Sequence, residues 1–167
     1  PEAGAGQSPP LVVLVVGVYV HARMSRPAQS AAPVAVSTPP YRSGEILSEK
    51  LDGVSLAAKP ETLLVVVQSR CKFCTASMPF YERLSKTTRA RTQIVVLTQE
   101  EAAIGHAYVS SHGFEPDAVV SIPEFARIHS TPTVILTDAT KTVRQIWTGK
   151  LSTASEAEVL AALNHNR

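Results

Sequence analysis

Thr62-Leu-Leu-Val-Val-Val-Gln68, then Ser69-Arg70, then Cys71-Lys-Phe-Cys74 is the stretch that decides how this chain folds. The first part is a continuous apolar, β-branched run, the pattern of a strand buried on both faces. The second part opens a segment whose apolar positions Cys74, Met78, Tyr81 and Leu84 keep helical spacing. A C-x-x-C at a strand-to-helix junction is the arrangement that disulfide exchange requires. The first thiol stands at the helix N-terminus, where unpaired N–H groups and the helix dipole favour a thiolate. The second lies one turn on, within reach of a mixed disulfide on the first. Pro79 falls inside the helix and predicts a kink there.

Working outward, Gln93–Thr98 reads as a second buried strand and Thr98-x-x-Glu101 as a capping box for a helix ending near His112, closed by Gly113. Ser121-Ile-Pro-Glu124 reads as a further helix start with proline in its first turn. Thr133–Thr137 is a third core strand, turned by Asp138–Lys141 into a fourth over Thr142–Thr148. Thr153-x-x-Glu156 caps a last helix in which Val159, Leu160 and Leu163 share a face. Before the first strand, Leu51-Asp-Gly-Val54 reads as a hairpin turn between short strands. The expected product is an α/β domain: a mixed sheet, parallel at its core, with helices on both faces.

Length and composition agree. The chain has 167 residues, 44% hydrophobic and 18% charged, enough for one domain plus an appendage. A formal net charge of +2, with no basic stripe and no interleaved aromatics, argues against nucleic acid as a partner. Two cysteines cannot make a disulfide scaffold, but they can make one reversible bridge. Leu11–Val20 is a ten-residue apolar run, too short to cross a bilayer alone and matching a signal-peptide core or the end of an anchor. Pro1 rather than methionine opens the chain, so the sequence is read as a fragment or as one that has lost its start. Residues 21–40 shift to Ala, Ser, Pro and Val and read as a linker. The expected organisation is thus a signal or anchor segment over 1–20, a linker over 21–40 and a folded domain over 41–167.

Read together, these features resemble the thioredoxin fold, and within it the tethered, extracytoplasmic TlpA/ResA-like branch related to the AhpC/TSA redoxins. Four matches carry the resemblance: the strand–C-x-x-C–helix with Pro79 five residues after Cys74; Ser130-Thr-Pro-Thr133 entering a core strand, similar to the family's cis-proline loop; the strand ending Ile146-Trp-Thr-Gly149; and the long segment Gln99–His129, similar to that branch's inserted helix. The Leu51–Leu56 stretch fits its N-terminal hairpin. The resemblance covers about residues 41–164. It implies thiol–disulfide exchange with protein dithiols and disulfides, and a further protein that donates or accepts electrons. It implies no cofactor beyond a redox-active Cys71–Cys74 disulfide, and an extracytoplasmic place with the N-terminus as tether. It also implies that Pro132 is cis and that Thr131 faces the substrate.

Two positions depart from the pattern. Arg70 stands where an aromatic, most often Trp, precedes the first cysteine, and Val65 stands where an acidic residue is buried in the strand. Arg70 and Lys72 flank Cys71, and their charge is expected to lower its pKa and favour oxidant character. Phe73 is expected to cover Cys74 or to offer partners an apolar contact, and Glu115 or Asp117 is a candidate to replace the missing acid.

Other readings of the pair remain beside exchange. One is a non-catalytic binding module with a structural disulfide. A zinc site would need two further ligands, for which His106, His112 and His129 are the candidates, none near the motif in sequence, so no metal is expected. Metal delivery is the more remote alternative. A peroxidase is disfavoured: the P-x-x-x-T-x-x-C pattern would need proline and threonine where Leu64 and Gln68 precede Cys71. Trp147 is expected to pack rather than to bind substrate, and Glu100-Glu101 to favour a helix N-terminus.

Overall fold

The computed structural model describes residues 38–49, 51, 53–88 and 90–164. The apolar run 11–20 and nearly all of the linker lie outside the described residues.

The β-branched runs form the strands they predict. β1 (Glu61–Val66), β2 (Thr92–Thr98), β3 (Ala118–Ser121), β4 (Thr133–Asp138) and β5 (Val143–Thr148) make one sheet in the order β3-β2-β1-β4-β5. β1 pairs parallel with β2 and antiparallel with β4, and β2 pairs parallel with β3. β4 and β5 form an antiparallel pair with an irregularity at Leu136/Thr137. β1 is therefore central and buried along its whole length. Each such Val or Leu taken out of water is worth about 1.5–3 kcal/mol. The helices are α1 (Lys72–Thr88), α2 (Ala102–Ser111) and α3 (Thr153–Asn164).

Alternation along β1 splits the core in two. Leu63, Val65 and Val67 face a cluster with Cys74, Met78, Tyr81 and Leu84 of α1, Val109 of α2 and Val159 and Leu163 of α3. Leu64 and Val66 face the other cluster, closed by Tyr41, Leu47, Leu56, Ile122 and Ile128. All three helices bury residues in the first cluster. The second face is covered by irregular chain, not by the helices expected on both sides.

Several local expectations are corrected. Ser121–Glu124 does not begin a helix; the segment after β3 stays irregular, with Ile122 and Ile128 packed onto the sheet. β3 itself was not anticipated. The turn at Leu51–Val54 exists, with Val54 N–H donating to Leu51 O at 3.1 Å and Gly53 at φ 77°. Among the described residues it is not flanked by strands. Instead Ile46 makes a single bridge to Thr142 beside β5. The capping box before α2 does not form: Glu101 is the N-cap without a side-chain bond, and the Thr98 hydroxyl instead accepts the Glu100 N–H at 3.1 Å. α3 is capped by Ser152, whose hydroxyl accepts the Ser155 N–H at 3.2 Å, so Thr153 is already helical. Gly113, at φ 72°, does close α2. α1 runs as one helix through Pro79.

α2 lies very close to the sheet. A Cβ at Gly105 would stand 2.8 Å from Thr98 Cγ2 and 3.2 Å from Val119 Cγ1.

Candidate active site

Cys71 and Cys74 occupy the first turn of α1, immediately beyond the C-terminal end of β1. Cys71 precedes the first helical residue, so it takes the place of an N-cap. Its sulfur accepts the Cys74 N–H at 3.2 Å, as a capping oxygen would accept one of the four orphan donors. No acidic residue occupies the first turn to compete for them. Cys71 is half-buried and Cys74 fully buried, and both are free thiols.

Two loops lie against the pair. Thr131 meets the Cys71 sulfur twice: its carbonyl oxygen accepts the thiol proton at 3.5 Å, and its side chain is among the donors that favour the thiolate. The Thr131–Pro132 bond is cis. The loop is held at both ends, by the Thr133 hydroxyl donating to Ser130 O at 2.8 Å and by the Gly149 N–H donating to Pro132 O at 2.7 Å. The second loop is the chain just before Cys71. Glu100 accepts the Ser69 N–H at 3.0 Å and the Ser69 hydroxyl at 2.5 Å, and Gln68 bonds Gln99 beside it. Glu100 thus clamps the turn carrying the nucleophile instead of serving only a helix terminus. From α2, the Tyr108 hydroxyl meets the Thr75 hydroxyl at 3.0 Å, next to Cys74. Sequence reasoning did not single out Ser69, Thr75 or Tyr108, because their partners come from other elements.

The two thiols are pushed apart. Burial raises the Cys71 pKa, but hydrogen bonds from the Cys74 thiol, Thr131 and the N–H groups of Cys74 and Phe73 outweigh it and bring the value below the ordinary cysteine range. Burial, followed by the neighbouring Cys71 sulfur, pushes Cys74 up to about 12. The cause at Cys71 differs from the expected one, since Arg70 and Lys72 are not among its leading contributors. Both side chains are exposed, and water screens them. The Lys72 ammonium sits 5.1 Å from the centre of the Phe73 ring. Phe73 is 52% exposed and does not cover Cys74.

The position of the missing acid is apolar throughout: Val65 is fully buried and paired with Val96 and Val134. Asp117 does not replace it, because its carboxylate accepts the Ile94 N–H at 2.7 Å and meets Lys59 at 3.2 Å, near the start of β2. Glu115 is exposed beside it in the chain. Of the histidines, His112 sits 2.9 Å from Tyr108 O and His129 sits 2.8 Å from Thr38 O. Among the described residues no group of three side chains could hold a metal ion. Trp147 is buried in the helix-side core, its Nε1 donating to Glu158 at 3.4 Å.

No family model matches the chain, and no curated protein matches it. Solved structures do. A thiol:disulfide interchange protein of the thioredoxin family from Chlorobium tepidum is 21% identical with a TM-score of 0.52, over 66% of this chain and 83% of its own. The exposed lipoprotein thioredoxin Etrx1 of Streptococcus pneumoniae is 16% identical with a TM-score of 0.53, over 66% and 87%. A secreted Mycobacterium tuberculosis disulfide oxidoreductase is 12% identical with a TM-score of 0.52, over 64% and 81%. The chain has the thioredoxin fold. In that fold's terms, the C-x-x-C, the cis-proline loop and the last strand converge here on one end of the sheet, and α2 is the added helix between β2 and the proline.

Proposed function

We propose that the protein is a thiol–disulfide oxidoreductase that exchanges disulfides with protein partners through Cys71 and Cys74. The observation that carries this is the split pair: an accessible sulfur at a helix N-cap, biased toward thiolate, backed by a buried thiol held protonated. In the reducing direction, the Cys71 thiolate attacks one sulfur of a substrate disulfide. That disulfide breaks, its other sulfur leaves with the electron pair and takes a proton, and Cys71 is joined to the substrate. Cys74 then attacks the Cys71 sulfur. The Cys71–Cys74 bond forms, and the Cys74 proton ends on the released substrate sulfur. The oxidising direction is the reverse. A second dithiol or disulfide protein returns the pair to its starting state.

Arg70, Lys72 and Phe73 form the exposed rim around the nucleophile, and Thr131 with Pro132 forms the opposite wall against which a substrate strand would lie. The folds most like this one include proteins described as secreted or as an exposed lipoprotein. Together with the apolar run 11–20, they support an extracytoplasmic place with the N-terminus as tether. No helix among the described residues is long and apolar enough to cross a membrane.

The test is trapping. A Cys74→Ser variant, expressed in cells and analysed without reductant, should accumulate mixed disulfides that vanish with dithiothreitol and are absent from a Cys71→Ser, Cys74→Ser double variant. A Cys74→Ser protein that forms no such adducts would overturn the assignment.

A further inference from the structure

Arg70 and Lys72 stand on either side of Cys71 in the chain, and both side chains are exposed. Neither is a leading cause of the lowered Cys71 pKa. Neither makes an ion pair with any of the described residues. Thr131 touches the Cys71 sulfur and Gly149 bonds Pro132, so two further stretches of chain reach the pair. Residues 66–81, 128–137 and 145–155 together hold Arg70, Lys72 and Lys150 and no Asp or Glu. The N-terminal end of α1, with no acid in its first turn, adds to the same sign. The acids that follow β2 and β3 at this end of the sheet are Glu100, Glu101 and Glu124, on the other side of β1 from β4 and β5. Glu100 reaches back to Ser69, where both of its oxygens are engaged. Beyond residue 155, Glu156 pairs with Arg83 at 2.9 Å and Glu158 accepts from Trp147 at 3.4 Å. Charge is thus divided across this end of the sheet, with unpaired cations beside the reactive sulfur.

We propose that Arg70 and Lys72 are specificity-determining residues that select protein disulfides set among acidic residues. This rests on the exchange reading above and names its substrate class. A substrate strand laid against Thr131 and Pro132 brings the residues flanking its cysteine to the rim that Arg70 and Lys72 form. Acidic side chains there meet cations that have no carboxylate of their own, and basic ones are repelled before the sulfur is reached. Phe73, 52% exposed between Lys72 and Cys74, gives the same strand an apolar contact. Exposed charges of this kind act mainly on the approach of a partner, so the preference appears in the association rate and weakens with salt. Each exposed pair contributes little by itself. Two attractive pairs for one substrate against two repulsive ones for another amount to a preference of roughly tenfold, not an absolute requirement.

The experiment uses the reduced full chain and two short peptides that differ only in the residues flanking a single cysteine, glutamates in one and lysines in the other. Each cysteine is activated as its 2-pyridyl disulfide. Attack by Cys71 on the peptide sulfur releases 2-thiopyridone, and attack by Cys74 on Cys71 then frees the peptide thiol. The rate of thiopyridone release is taken as a ratio, acidic peptide over basic, and divided by the same ratio for dithiothreitol. Both peptides meet the same thiolate, so the ratio is blind to any change in Cys71 itself. At about 20 mM salt the wild-type ratio should be roughly tenfold, and at about 500 mM it should fall toward one. Arg70→Ser with Lys72→Ser should bring it toward one at low salt, and Arg70→Glu with Lys72→Glu should invert it. If the glutamate variant fails to fold, the serine variant decides. A wild-type ratio near one, or a serine variant that keeps the wild-type ratio, would overturn the proposal while both product releases leave the exchange reading standing. A wild-type chain that frees no peptide thiol from either peptide removes the exchange reading, and the proposal with it.

Discussion

The two faces of the sheet are equally dry and are kept dry by different means. On one face, helices with their own internal hydrogen bonds lay apolar stripes over Leu63, Val65 and Val67. On the other, chain without regular structure covers Leu64 and Val66, and its polar backbone must be tied down group by group. Arg127 does much of the tying. It donates to Pro39 O at 2.8 Å, Pro40 O at 3.2 Å and Glu45 at 2.6 Å, and its guanidinium lies 4.3 Å from the centre of the Tyr41 ring. The Tyr41 hydroxyl in turn meets Ser48 at 2.7 Å. The redox pair belongs to the helical face, where a helix N-terminus can hold a sulfur. The loop face contributes the segment leading into Thr131.

That contrast can be broken most severely in the core. Leu84→Ala empties a fully buried site beneath α1 and should cost about 2–5 kcal/mol by denaturant titration. Ile128→Ala lines a groove of about 410 Å3 on the loop face, where neighbours can relax and water can enter, so its cost should lie near the low end, about 2 kcal/mol. Equal losses would mean that the loops pack as rigidly as the helices. A smaller and more local effect is expected of Arg127→Ala. Hydrogen exchange at Gly44 and Leu47, whose amides bond to Val143 O of β5 and to Lys141 O in the turn before it, should speed up roughly tenfold while α1 amides keep their protection. Uniform acceleration would show that the two faces open together.

The mildest probe is pH. Cys71 is shifted down, so iodoacetamide should label it with a midpoint below the ordinary cysteine value, while Cys74, near 12, stays silent at neutral pH. The signs for stability are opposite. The Cys71 contribution is present above its unfolded pKa and is lost as pH falls through the lowered native value. The Cys74 contribution is present below the ordinary cysteine pKa and is lost as pH rises toward about 12. Both appear as the pH dependence of urea midpoints for the dithiol form, compared with Cys71→Ser and Cys74→Ser.

The helical face was also the legible one. Continuous β-branched runs announce β1, β2 and β4, and the spacing Cys74, Met78, Tyr81, Leu84 announces α1. The loop face hides because Ile122, Phe125 and Ile128 recur at the helix-like interval of three although the chain there stays irregular, and Ser121-Ile-Pro-Glu124 adds a helix-start signal that contact with the sheet overrides. β3 escaped notice because it is a four-residue edge strand, mostly half-exposed. At the site, the cysteines and Thr131-Pro132 could be read from spacing and resemblance. The Glu100 clamp on Ser69 and the Tyr108–Thr75 contact could not, since each joins residues about thirty positions apart. The Cys71 shift was anticipated in direction and misattributed in cause: charge is visible in a sequence, whereas hydrogen bonds to a sulfur appear only once the turn is built.

Gly105 has a consequence beyond its own position. With only a hydrogen atom there, the backbone of α2 rests directly on the side chains of Thr98 and Val119. The stand-off of the helix is therefore gauged by two β-branched side chains, which are stiff at χ1. Tyr108, three residues on, inherits that gauge when its hydroxyl reaches Thr75. A single methyl group at position 105 would act as a shim, lifting the added helix off the sheet and loosening its grip on the turn that holds the two cysteines.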